Sequence, residues 1–278
     1  MLKQRVITAV ILSAIALWAI LGWNDFFFAL FLMVFTGAGA WEWSDLTEVA
    51  SPDVPARTMR IAYTVVVVIT AAAAMFIASN ASMSALVLIG VVLWLAIAAD
   101  LVLRPVLDPV KDSNGMVRPR WYLLILASFL LLLTVCSLYW LRQNHGPGIV
   151  IFTIVLVAAA DTGAYFSGKQ FGKTKLAPEI SGGKTVEGAA GGIVLALLVT
   201  IIFCGTLATD QVSIWSLLVM SLLAACISIP GDLFISRAKR TRDIKDSGTL
   251  LPGHGGVLDR VDGLLAATPF IAFAMLWL

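Results

Sequence analysis

The run WYLLILASFLLLLTVCSLYWL, from Trp121 to Leu141, carries 21 consecutive residues without a charge. As a helix rising 1.5 Å per residue it is about 30 Å long, the thickness of the hydrocarbon layer of a bilayer. Runs of the same kind precede it at Val6–Trp23, Phe26–Trp43, Ile61–Ser79 and Ser84–Leu103, and follow it at Gly148–Ser167, Val186–Thr206, Ser213–Ile229 and Val261–Leu278. The pattern predicts an all-α integral membrane protein with about nine transmembrane helices. Composition agrees. Of 278 residues 60% are hydrophobic and 13% charged, against about 45–50% and about 25% in a soluble domain, and mean hydropathy is +0.95. A soluble fold, a disordered chain and a coiled coil are excluded. Cys136, Cys204 and Cys226 each lie within an apolar run with no CxxC spacing, so no disulfide or zinc framework is expected.

Charge fixes the expected orientation. With the N-terminus inside and loops alternating, 18 of the 19 Lys and Arg residues fall on one side and only Arg142 on the other. The bias in cytoplasmic Lys and Arg therefore predicts a multi-pass protein of the cytoplasmic (inner) membrane, N-terminus in and C-terminus out. Lys3 and Arg5 ahead of the first run imitate a signal peptide, but no small-residue cleavage site follows, and the run is expected to stay as a span. Trp23, Trp41, Trp43, Trp121 and Trp140 stand near span ends, where aromatic anchors belong. The chain divides into residues 1–147, helices one to five, and residues 148–278, a catalytic region of four helices with two polar cytoplasmic loops, Gly168–Thr185 and Gly231–Arg260. Chemistry is expected on the cytoplasmic face.

Asp161 follows the apolar stretch Ile149–Ala160 and lies about 20 Å along its helix. A carboxylate at that depth costs several kcal/mol, by order of magnitude, unless it meets a cavity, a partner or an ion, so it is read as functional rather than as a partner of Lys169. Asp100 has Arg104 four residues on and is expected to pair with it. Glu42 and Asp45 read as an acidic face at the inner membrane surface.

The first polar loop contains Gly183-Lys184-Thr185. A Walker loop needs a glycine five residues before Gly183, where Pro178 stands, and a preceding strand, where a membrane helix stands, so that reading fails. What survives is Lys184 with the Ser181 and Thr185 hydroxyls at the start of a helix, whose exposed amides attract anions. Gly188 to Gly192, all Gly or Ala, reads as a close helix-packing patch. The second loop interleaves five acids, Asp232, Asp243, Asp246, Asp259 and Asp262, with six Lys and Arg. If the chain after Pro230 is helical, Asp232, Ser236, Lys239 and Arg240 share one side. Such a face suits magnesium-assisted handling of a polyphosphate, oxygen ligands holding the cation and Lys or Arg neutralising the rest. The glycines Gly253, Gly255 and Gly256 are expected to turn backbone N–H groups onto an anion.

The stretch Ser236–Asp262, with Lys239-Arg240, Lys245-Asp246, Gly248, Leu251-Pro252, His254-Gly255-Gly256, Asp259-Arg260 and Asp262, resembles the signature of the phosphatidate cytidylyltransferase (CDP-diacylglycerol synthase) family. Asp161–Phe166, Phe171-Gly172-Lys173, Leu176–Pro178 and Ser181–Glu187 are similar to its other shared block. Ala238 and Gly182 depart from the family's usual bulkier apolar residue and proline. The resemblance implies a homodimeric membrane enzyme that joins CTP and phosphatidic acid into CDP-diacylglycerol and pyrophosphate with Mg²⁺, in phospholipid biosynthesis. It implies Asp232 and Asp246 as metal ligands, with a monovalent cation such as K⁺ nearby. Lys239, Arg240, Lys245 and Arg260 would balance phosphate charge, Asp259 would belong to the catalytic set, and Asp161 would complete the metal site or order a lysine. His254 stays open between a phosphate and a base contact. Nucleic acid is not an expected partner. Two other classes compete. Asp259-Arg-Val-Asp262-Gly263 begins like a CDP-alcohol phosphotransferase motif, but Ala267 replaces its arginine and no acid follows Asp262. Buried acids also suit an ion-coupled transporter, yet the polar residues gather on one side rather than in paired broken helices.

Overall fold

Backbone amides surrounded by hydrocarbon must find partners within their own segment, which leaves helices as the outcome for long apolar runs. A computed structural model describes residues 2–47, 55–77, 80–105, 121–207, 213–251, 253 and 255–277. Among these residues lie nine helices: α1 (Leu2–Leu21), α2 (Asp25–Leu46), α3 (Ala56–Ile77), α4 (Asn80–Leu103), α5 (Trp121–His145), α6 (Pro147–Phe171), α7 (Val186–Leu207), α8 (Ile214–Arg240) and α9 (Leu258–Met275). Each apolar run of the sequence has its helix. Seven, α2 to α8, are long and apolar enough to cross a membrane; α1 offers a shorter apolar part, Val10–Leu21, and α9 begins with Asp259, Arg260 and Asp262. The loop carrying Lys111, Arg118 and Arg120 is outside the described residues.

Three boundaries differ from expectation, all at polar ends. Helix α8 runs past Ile229 and through Pro230 to Arg240, so Asp232, Ser236, Lys239 and Arg240 are helical rather than part of a loop. Helix α6 continues to Phe171. Between α6 and α7 the chain forms a small antiparallel hairpin, β1 (Lys175–Ala177) with β2 (Ser181–Thr185), Lys175 opposite Thr185 and Ala177 opposite Ser181. The fold is otherwise all helical.

Helix α5 forms the centre, buried almost continuously from Leu130 to Arg142, and α9 packs beside it through Leu264–Pro269. Thr134 Oγ1 donates to the Leu265 carbonyl at 3.2 Å across that contact. Helices α3, α4 and α7 turn long rows of apolar side chains outward, among them Val65, Val66, Ile69, Leu88, Val92, Leu95, Val194 and Ile202, as lipid-facing helices do. Helix α2 is pinned at both ends. Near its start Arg142 donates to Asp25 Oδ1 at 2.9 Å and to the Ile20 and Trp23 carbonyls. Near its end Asp45 takes Arg60 at 2.8 Å and Arg242 at 3.8 Å. The two ends lie about 30 Å apart, so the one basic residue assigned outside and two assigned inside sit at opposite ends of one helix.

Two further expectations change. Asp100 pairs with Arg237 of α8 at 2.8 Å, and Arg237 also donates to the Arg104 carbonyl at 2.8 Å; Arg104 is thus bound through its backbone. Glu42 is no part of a wetted acidic face, because its side chain is 1% exposed.

Candidate active site

Close packing of α6 on α7 sets the first wall. A Cβ at Gly163 would stand 2.6 Å from the Gly191 carbonyl oxygen, and one at Gly192 would stand 2.5 Å from that of Ala160. Only glycines admit this approach, and it brings Asp161 to the groove beside α7. The hairpin supplies the next residues. Lys175 Nζ donates to the Gly182 carbonyl at 2.7 Å, and Glu187 accepts the N–H groups of Lys173 at 3.1 Å and Thr174 at 3.2 Å. Thr185, buried, closes β2 and accepts the Gly188 N–H at 3.1 Å, an N-terminal cap for α7. With its flanks so fixed, Lys184 reaches across to α8, where Nζ lies 2.5 Å from Asp232 Oδ2. Asp232 Oδ1 accepts the Ser236 hydroxyl at 3.0 Å, the one-turn spacing expected of that face.

These groups surround a cavity of about 490 Å³ lined by Asp161, Tyr165, Lys184, Thr185, Ser228, Asp232, Asp259 and Asp262, among others. Four carboxylates and one ammonium thus face a single space. Lys184 answers Asp232, and Lys239 answers Asp259 at 2.6 Å. Among the described residues, Asp161 and Asp262 have no cationic partner within 4.0 Å. Among the described residues no three of these acids converge closely enough to hold a metal ion by themselves, so a hard cation here would need oxygen ligands from a bound phosphate as well. A second, apolar cleft of about 510 Å³ adjoins the first, sharing Leu176 and Ile229 with it and lined further by Ala98, Leu101, Val102, Pro178, Pro230 and Leu233.

Around the glycine-rich turn several N–H groups, that of Gly256 among them, are engaged by the protein's own carboxylates. Ser247 and Gly256 donate to Asp259 Oδ2 at 2.8 and 3.1 Å, while Val257 and Leu258 donate to Glu42 at 2.8 and 2.9 Å. Gly253 and Gly255 have φ of +77° and +82°, a region glycine enters without cost.

Of the residues singled out from sequence, Asp161, Lys184, Thr185, Asp232 and Asp259 meet in the cavity, with Ser236 and Lys239 bonded to its carboxylates. Ser181 starts β2. Arg240 turns to the Ile180 and Ile244 carbonyls at 3.4 and 3.3 Å. Lys245, Asp246 and Arg260 are exposed. Asp246 is close to Asp259 but is not among the residues that line the cavity: a Cβ at Gly255 would lie 3.2 Å from Asp246 Cβ and 3.1 Å from Asp259 Oδ2. His254 lies outside the described residues. Asp262, one of the interleaved acids of the second loop, lines the cavity; Glu42, read as a surface acid, has partners more than 200 positions away that no local pattern shows.

A multi-pass helical protein with acids and a lysine gathered in one cavity at its polar helix ends has the layout of a membrane enzyme that handles phosphates. The chain belongs to the cytidylyltransferase family, whose model matches residues 3–278, and is a nucleotidyltransferase. It is 41% identical over 278 residues to the phosphatidate cytidylyltransferase of Pseudomonas aeruginosa, covering all of this chain and 97% of that one. Against the phosphatidate cytidylyltransferase of Haemophilus influenzae the identity is 35%, covering 98% of each. The enzyme of the same name from Bacillus subtilis is 45% identical over 133 residues, 48% of this chain and 49% of that one. The transporter and CDP-alcohol phosphotransferase readings are set aside.

Proposed function

We propose that the protein is a phosphatidate cytidylyltransferase, joining CTP and phosphatidic acid into CDP-diacylglycerol and pyrophosphate. The observation that carries this reading is the polar cavity of Asp161, Lys184, Asp232, Asp259 and Asp262 sharing a wall with an apolar cleft. An amphipathic phosphate ester needs both: charge for its headgroup and apolar surface for its chains. Full-length similarity to enzymes of that name supports the choice of nucleotide and lipid.

In the proposed reaction a phosphate oxygen of phosphatidic acid attacks the α-phosphorus of CTP in line. The new P–O bond forms as the bond to the β-phosphate breaks, and pyrophosphate leaves. A phosphate monoester is already an anion, so no side-chain nucleophile is needed; positioning and charge neutralisation carry the rate. Lys184 lines the cavity in a partly exposed pair with Asp232 and would turn to substrate phosphate, while Lys239 holds Asp259 in a nearly buried pair. Lys245 and Arg260, both exposed, are the further basic residues that the family resemblance assigns to phosphate. One or two of the cavity carboxylates Asp232, Asp161 and Asp262, together with phosphate oxygens of the substrate, would hold Mg²⁺, which when bound supplies neutralisation of the triphosphate. We place the cavity at the cytoplasmic face of the inner membrane, from the one-sided distribution of Lys and Arg, and expect a homodimer.

The test is direct. Purified protein in detergent, given radiolabelled CTP, phosphatidic acid and Mg²⁺, should move label into a chloroform-soluble cytidine lipid. Label that stays in the aqueous phase under all lipid conditions overturns the reading.

A further inference from the structure

Glu42 belongs to α2, outside every motif of the second half, yet its carboxylate accepts three hydrogen bonds from the last loop and the start of α9. Oε2 accepts the Ser247 hydroxyl at 3.0 Å and the Leu258 N–H at 2.9 Å, and Oε1 accepts the Val257 N–H at 2.8 Å. These partners lie 205 to 216 positions along the chain. The loop is shaped to admit it: a Cβ at Gly248 would stand 2.7 Å from Oε1, and one at Gly256 would stand 2.5 Å from Oε2. The Val257 and Leu258 amides are among the first of α9, donors with no intrahelical acceptor, so Glu42 caps α9 from another helix.

Its own mounting is firm. Trp43, next to it, donates its indole N–H to the Leu123 carbonyl at 2.9 Å and stacks on Phe234 of α8 at 5.4 Å. Asp45 is held by Arg60. What Glu42 holds leads straight to the cavity. Ser247 gives its hydroxyl to Glu42 and its N–H to Asp259, and α9 carries both Asp259 and Asp262.

We infer that Glu42 is a positioning residue for cytidylyl transfer, clamping the Ser247–Leu258 turn so that Asp259 and Asp262 are presented to the cavity. The inference rests on the proposed function for its kinetic arm alone. Removing the clamp lets the acids drift, and a displacement of about 1 Å at a reacting centre costs about a hundredfold. Glu42→Gln keeps one acceptor oxygen and turns the other into an NH₂ that faces at least one N–H of the turn, so it removes the charge and weakens the clamp without changing size.

The experiment compares wild type, Glu42→Gln and Ser247→Ala by cytidylyl transfer and by amide hydrogen exchange in detergent, below the unfolding temperature of each. For Glu42→Gln the expected result is a kcat at least about tenfold lower with KM for CTP within about threefold. Exchange should be faster not only at Val257 and Leu258 but also at Ser247 and Gly256, whose amides bond Asp259 rather than Glu42. Ser247→Ala, which removes one donor and keeps the carboxylate, should move both readouts the same way by less, and serves alone if Glu42→Gln does not fold. Unchanged kcat in a folded variant, or unchanged exchange at Gly256, overturns the inference. A wild type without transferase activity sinks the proposed function instead, and the exchange arm still decides the clamp.

Discussion

Lys184 Nζ and Asp232 Oδ2 stand 2.5 Å apart and join two polar segments that lie 48 positions apart in the chain. Both side chains remain partly exposed, 24% and 29%, so the pair is not a buried structural staple. A half-open ion pair contributes only about 0–1 kcal/mol to stability. Its place on the cavity wall is better explained by what arrives there.

Lys184→Met keeps the stem and removes the charge. Turnover should fall by at least about a hundredfold, the scale of losing one positioned electrostatic contact, while the unfolding temperature in detergent moves little. A loss of activity that merely tracks a loss of folded protein would make Lys184 structural.

Arg237 and Asp100 form the contrasting case. The arginine side chain is 5% exposed and tied to α4 through Asp100 Oδ2 and the Arg104 carbonyl, and neither residue lines the cavity. Asp100→Asn should cost about 1.5–3 kcal/mol, the worth of a hydrogen bond to a charged group. Thermal unfolding should show it, with kcat of the folded fraction unchanged.

Orientation can be checked from the two ends of α2. In a cysteine-free background, single cysteines at Lys175 and Asp243 should react with a membrane-impermeant reagent only from the cytoplasmic side, and one at Asn144 only from outside. Lys175 and Asp243 reacting from opposite sides would break the shared site as well as the topology.

How much of this was legible follows from what each signal measures. Hydropathy finds every helix because each carries a long apolar run, but it stops at Ile229 where α8 turns polar, although the backbone continues through Pro230 to Arg240. The hairpin Lys175–Thr185 has no alternating apolar pattern, since its three- and five-residue strands are joined by backbone bonds at the surface. Asp161, which lines the cavity, was legible because a charge in an apolar run is visible locally. Asp100 was given to Arg104 because sequence spacing sees only neighbours one turn away, and the partners of Glu42 were invisible for the same reason. The glycines of the last loop read as an anion-binding turn, and no local pattern shows that N–H groups around them are engaged by Asp259 and Glu42.

The proposed cation ligands give the last prediction. Asp232, Asp161 and Asp262 line the cavity, whereas Asp246, close to Asp259, does not. Replacing a carboxylate by an amide keeps size but removes the charge a hard cation needs. Activity should require Mg²⁺ and vanish with EDTA. Asp232→Asn and Asp262→Asn should each lower turnover by at least about a hundredfold and raise the Mg²⁺ concentration needed for half activity. Asp246→Asn should shift that midpoint less than Asp232→Asn does. Asp243→Asn should be silent: its φ of +54° lies in the left-handed region that asparagine tolerates as well as aspartate, and the residue is exposed. Mg²⁺ titrations of the four purified variants decide the matter, and a midpoint that moves most for Asp246→Asn would transfer the cation from the cavity to the loop.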